Sequence, residues 1–128
     1  MKKFGRIIFF TATLILVFSS VSFAQNSADK SWNTFWVKFS TAVKTKNRTA
    51  IKSMASKRFT WHDADDTVSA WLQYLNQSKL WYLVQNSVNK GTMAYNSGEK
   101  KPWRVTKDNH LLFVFENGKW KFYGIMGD

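Results

Sequence analysis

Cysteine is absent from the 128 residues, so disulfide staples, thiolate zinc sites, thiol nucleophiles and lipid-acylated cysteine are all excluded. There are only two histidines, His62 and His110, which narrows metal chemistry further. A single proline, Pro102, leaves the chain poor in rigid turns. Acids are also scarce, with 8 Asp+Glu against 19 Lys+Arg and a formal net charge of +11. No long apolar run occurs beyond the first two dozen residues. What the chain has instead is aromatic mass, with seven Trp, eleven Phe and four Tyr. A hydrophobic share of 45% at this length fits one folded domain rather than a disordered chain.

Residues 1–24 have the pattern of a cleavable signal peptide. Lys2, Lys3 and Arg6 give a positive start, and Ile7 to Phe18 is an apolar stretch broken only by Thr11 and Thr13. Ser22-Phe23-Ala24 then places small residues at the −3 and −1 positions of a cleavage site. The apolar stretch is shorter than the roughly 20 residues a spanning helix needs, so no transmembrane span is expected after cleavage. The expected location is the periplasm or the extracellular space, and lack of Cys rules out a lipoprotein. The 104 residues from 25 to 128 then form a single domain. Losing two Lys and one Arg leaves it at +8, with all seven Trp.

Spacing divides this domain in two. Trp32, Phe35, Trp36, Phe39 and Val43 recur at helical intervals, with Lys30, Lys38 and Lys44 on the opposite side, predicting a helix over about 29–45 capped by Ser27 or Asp29. Thr49 can cap a shorter helix carrying Ile51, Met54 and Ala55. Phe59-Thr60-Trp61 reads as a brief extended piece. Asp65 or Asp66 can cap a third helix with Val68, Trp71, Leu72 and Leu75 on its apolar side. The period then changes. Leu80–Val84, Thr92–Tyr95 and Pro102–Thr106 read as strands, and Asn117-Gly118 joins His110–Phe115 to Lys119–Ile125 as a hairpin. A two-residue loop sets Phe115 against Trp120, Phe113 against Phe122 and Leu111 against Gly124. The other side of the hairpin, with His110, Leu112, Val114, Lys121, Tyr123 and Ile125, is mixed in polarity. The fold class expected is α+β, with N-terminal helices on a curved antiparallel sheet of four to five strands.

These residues resemble the nuclear-transport-factor-2-like (cystatin-like α+β) superfamily, specifically its small exported bacterial members. The resemblance spans about 29–128 and rests on two segments. One is Phe35-Trp36-Val37-Lys38-Phe39-Ser40-Thr41-Ala42-Val43 with Ile51 and Met54. The other is the hairpin Phe113-Val114-Phe115-Glu116-Asn117-Gly118-Lys119-Trp120-Lys121-Phe122. Where relatives often carry Phe-Pro-Phe, this chain has Arg58-Phe59-Thr60-Trp61. The resemblance implies a curved, cone-like sheet wrapped round the first helix, often with a pocket. It transfers no catalytic set, because enzymatic members differ in their catalytic residues and none of those motifs stands here.

The chemistry-bearing residues form three groups. His62, Asp63, Asp65 and Asp66 are the only cluster of ligand types, but they match no named metal motif, and completing the site would need His110 from a distant strand. Their plainer role is a polar loop capping the third helix, and no metal or cofactor is expected. As acid–base groups, His62, Asp63 and His110 would need an apolar pocket to bring their pKa values towards neutrality. Tyr82, Tyr95 and Tyr123 are the hydrogen-bond donors available to such a site. No G-x-S-x-G elbow, phosphate loop, dinucleotide fingerprint or H-E-x-x-H motif occurs.

The second group is basic: Lys44, Lys46, Arg48, Lys52, Lys57 and Arg58 run through the second helix, and Lys100, Lys101, Arg104 and Lys107 lie near the third strand. Such a field favours an anionic envelope component or an acidic protein, while export argues against nucleic acid. The third group is aromatic. Trp32, Trp36, Trp71, Phe113, Phe115, Trp120 and Phe122 fall on core faces. Trp61, Trp81, Tyr82, Trp103 and Tyr123 are less constrained and, with Arg104, are candidates to meet a ligand or partner. The reading is therefore an exported, non-enzymatic binding domain for a small apolar or anionic ligand. A small pocket enzyme of isomerase, dehydratase or hydrolase type, an inhibitor docking an acidic partner, and a homodimeric assembly stand as alternatives.

Overall fold

A computed structural model describes residues 27–61, 67–96, 98 and 100–126. The proposed signal segment lies outside them, as do His62, Asp63, Asp65 and Asp66. Four helices pack with a five-stranded mixed sheet, an α+β architecture. The first helix, α1, is described over 27–44 and buries Trp32, Phe39, Ala42 and Val43. Ser27 and Asp29 are already helical, so neither is its cap. The helix closes on Lys46, whose φ of 55° is left-handed. There the Asn47 N–H reaches the Ala42 carbonyl (2.8 Å) and the Lys46 N–H reaches that of Val43 (3.1 Å), which satisfies two otherwise orphaned acceptors.

Asn47, rather than Thr49, caps α2 (Arg48–Met54), its side chain accepting from the Ala50 N–H at 3.1 Å. Strand β1 follows at once (Ala55–Thr60). The third helix, α3 (Val68–Gln77), is capped by Thr67, not by the nearby aspartates. It ends on a second left-handed lysine, Lys79, with the Leu80 N–H bonded back to Leu75.

The strand expected at Leu80–Val84 is instead the start of α4 (Trp81–Asn89). A five-residue apolar run is ambiguous by itself. What decides it is the continuation: Trp81, Val84 and Val88 are buried together, whereas Tyr82 and Leu83 are exposed, a helical rather than alternating pattern.

Strands β2 (Thr92–Tyr95), β3 (Trp103–Thr106), β4 (Leu111–Glu116) and β5 (Lys119–Ile125) complete the sheet in the order β1-β5-β4-β3-β2. Neighbours among β2 to β5 are antiparallel; β1 joins β5 in parallel, making the sheet mixed. Asn117 and Gly118 both take positive φ (53° and 74°), the requirement of a tight hairpin turn. Phe115 faces Trp120 and Phe113 faces Phe122 as expected.

Beyond Phe122 the register slips. Leu112 pairs with Gly124 and Leu111 with Ile125, so Tyr123 is an extra residue in β5. The bulge moves Ile125 onto the core side, beside buried Leu111. It also brings Gly124 against β1, where a Cβ would press into the Thr60 carbonyl oxygen.

The core is an aromatic layer between α1 and the sheet. Phe113 sits edge-on to Trp32, Phe35, Trp36 and Phe39, and Phe39, Phe59 and Trp71 close over Phe122. Trp36 and Phe115 are half-buried and pack on its margin. Each such ring pair contributes about 0.5–1.5 kcal/mol beyond the burial of its area. The Trp120 indole N–H donates to the Ala28 carbonyl at 2.8 Å, tying the described beginning of α1 to β5.

Candidate anion-binding cleft

The cleft arises from a mismatch between two strands. Ala55 of β1 pairs with Phe122 and Thr60 with Gly124, so five steps along β1 match two along β5. The surplus length bows out Ser56, Lys57 and Arg58. The Ser56 hydroxyl takes the place of a strand partner for the bowed backbone, accepting the Arg58 N–H at 3.1 Å. It also donates to Glu116 Oε1 at 2.8 Å, while Arg58 Nη2 donates to Oε2 at 2.7 Å. Glu116, at the end of β4, therefore reaches across to β1 and is almost fully covered, its side chain 9% exposed. Burial alone would raise its pKa. The hydrogen bonds from Arg58 and Ser56, with the charges of Arg58 and Lys121, outweigh burial and hold the carboxyl below its ordinary value.

Around this fixed carboxylate opens a cleft of about 430 Å³ lined by Ser56, Lys57, Arg58, Lys101, Glu116, Asn117 and Lys121. Four cations face one carboxylate, which is already paired with Arg58. Among the described residues, Lys57, Lys101 and Lys121 have no carboxylate within 4.0 Å. Lysines of this kind attract anions as flexible point charges.

The basic run singled out in the sequence is thereby divided. Lys57 and Arg58 enter the cleft, whereas Lys44, Lys46, Arg48 and Lys52 are exposed around the α1–α2 turn and α2. Lys101 comes from the second basic group. Lys121, Ser56, Glu116 and Asn117 were not candidates. Hairpin alternation could have placed Lys121 and Glu116 on one face, but nothing local announces that β1 returns beside them.

The aromatic candidates separate too. Trp81 is buried in the core and has no surface to offer a ligand, because its position on α4 points it inward. Trp61 is half-buried and packs on the core and on Tyr74 at 5.2 Å. Tyr82 is exposed on α4, away from the cleft lining. Trp103 and Tyr123 do meet, edge to face at 4.9 Å, on the sheet face opposite the core, which they share with Lys121. Trp103 is itself buried, and its indole N–H has no hydrogen-bond partner among the described residues.

Arg104 lies on the other face. Its β4 neighbour is Phe113, and its guanidinium carbon stands 4.8 Å from the centre of the Trp32 ring. Burial lowers its pKa, and the charge of Asp29 opposes that effect.

His110 belongs to a structural turn. Its N–H bonds Thr106 Oγ1 and Asp108 Oδ1, and its carbonyl accepts from Met126. Among the described residues no three His, Asp or Glu side chains gather as a metal site would require, and no helix is long and apolar enough to cross a membrane. Comparison with protein-family models, with curated proteins and with solved structures finds no match.

Proposed function

We propose that this protein is an exported, non-enzymatic binding domain whose basic cleft takes a phosphorylated ligand, such as the anionic part of an envelope component. One observation carries the reading: four cations line a single concavity whose only carboxylate among the described residues is already held by Ser56 and Arg58. A second anion entering there meets Lys57, Lys101 and Lys121, which form no ion pair within 4.0 Å among the described residues. Export is supported by the composition of residues 1–24. Kinship with the nuclear-transport-factor-2-like superfamily is supported by the long aromatic helix against the sheet and by the closing Asn-Gly hairpin.

The test is calorimetric titration of residues 25–128 with pyrophosphate at low and raised sodium chloride. Saturable binding that weakens with salt is expected, and a Lys101→Glu/Lys121→Glu double variant should lose about tenfold or more in affinity. Absence of saturable heat, or unaltered affinity in a folded double variant, would overturn the proposal.

A further inference from the structure

On the helix-covered face of the sheet, where β3 also contributes buried Thr106 and β2 Thr92, stands the cation Arg104. Its cross-strand neighbours explain how a cation is accommodated there. On the inner side is Phe113, and on the edge strand β2 is Ala94, small and exposed, which leaves the guanidinium open towards the sheet edge. The Trp32 ring lies against the guanidinium at 4.8 Å, and Trp32 stacks in turn on half-buried Trp36 at 5.6 Å and 19°. Arg104 Nε and Nη2 both point to one acceptor, Thr92 Oγ1, each at 3.3 Å. Nη1 has no partner among the described residues, and no carboxylate approaches within 4.0 Å, Asp29 acting only at longer range.

Among the described residues the fork is thus oriented by a ring and a hydroxyl, with no carboxylate within 4.0 Å. An arginine held in this way has lost most of the freedom that anion binding normally costs, and its planar donors match a carboxylate better than a lysine would. The half-buried Trp36 ring, stacked on Trp32, supplies an apolar surface for whatever the carboxylate is attached to.

We propose that Arg104 anchors the carboxylate of a small ligand whose apolar, planar body rests against Trp36. This is a second site, on the opposite face of the sheet from the basic cleft. The two differ in chemistry: flexible lysines in one, and a single oriented fork beside indoles in the other.

The test follows the Arg104 Nε–H resonance by NMR while phenylacetate, and separately its neutral analogue phenylacetamide, is added to residues 25–128. Phenylacetate should move the resonance saturably and phenylacetamide should not. Arg104→Lys keeps the charge but not the fork, and should weaken binding, followed then on the Trp36 indole signal, by about tenfold. Trp36→Ala should also weaken it. The Lys101→Glu/Lys121→Glu variant should bind phenylacetate as the parent does, so failure of the cleft proposal leaves this one standing. An equal response to acid and amide, no saturable response to either, or undiminished affinity in a folded Arg104→Lys variant would refute it.

Discussion

Two tryptophans of similar burial illustrate how a polar handle decides what a side chain is worth. Trp120 and Trp103 are 6% and 8% exposed. The Trp120 N–H is bonded to the Ala28 carbonyl, whereas that of Trp103 has no described partner. Replacing Trp120 by Phe therefore removes volume and a buried hydrogen bond that ties α1 to β5, and should cost about 2–4 kcal/mol. Replacing Trp103 by Phe removes volume and also an unsatisfied donor, so part of the packing loss is returned. Its cost should be at least 1 kcal/mol or so smaller than that of the Trp120 variant. Urea unfolding of both variants checks the order. Equal losses would mean that the Trp103 N–H is not orphaned in solution.

At the scale of elements, α4 is fastened to the sheet by a carboxylate. Asp108, in the turn between β3 and β4, accepts from Ser87 of α4 and from Thr106 of β3, each at 2.6 Å, with Lys90 at 3.8 Å. Burial pushes its pKa up, but the hydrogen bonds from Ser87, Thr106 and the His110 N–H, with the charge of His110, outweigh it, so the folded pKa is lowered. The unfolded chain then binds a proton more readily than the folded one. This contribution is present above the ordinary carboxylate pKa near 4 and is lost as pH falls towards the folded value. Asp108→Asn should cost about 1–3 kcal/mol at pH 7. The gap between parent and variant should narrow between about pH 5 and pH 3. Urea midpoints at several pH values measure it, and a gap independent of pH would show that the charge of Asp108 is not what fastens α4.

The same scale shows what the sequence made legible. The helical spacing of Trp32 to Val43 and the Asn-Gly turn declare themselves locally, because both depend on residues within a few positions of one another. The run at Leu80–Val84 misleads because five apolar residues suit a strand as well as a helix, and only its polar, helically spaced continuation to Asn89 resolves it. The slip at Tyr123 is invisible to a pairing argument that counts outward from the turn. For the cleft, charge marked Lys57 and Arg58, but their joining with Glu116 depends on β1 returning parallel to β5 after some 60 intervening residues. Two-residue alternation carries no information about such a pairing. Arg104 was marked as a ligand candidate, yet its place under the helices follows only from its register with Phe113.

For the molecule as a whole, the unbalanced charge is itself a structural force. Residues 25–128 carry a net +8, and among the described residues the ion pairs closer than 4.0 Å are Arg58–Glu116 and Lys90–Asp108. Repulsion among the remaining cations opposes the compact state, and salt shortens its range to about 10 Å at 0.1 M. Raising sodium chloride from low millimolar to about 0.3 M should therefore raise the melting temperature by a few degrees. Screening of this kind depends on ionic strength, not on which anion supplies it. Occupancy of the cleft depends on the anion, because a ligand bound only by the folded state adds stability of about 1.4 kcal/mol at ten times its dissociation constant. At matched ionic strength, pyrophosphate should thus raise the melting temperature beyond sodium chloride in the parent protein. In the Lys101→Glu/Lys121→Glu variant, pyrophosphate and chloride should have the same effect. A pyrophosphate increment that survives in the variant would assign the stabilisation to pyrophosphate bound elsewhere on the domain and remove the cleft as its source.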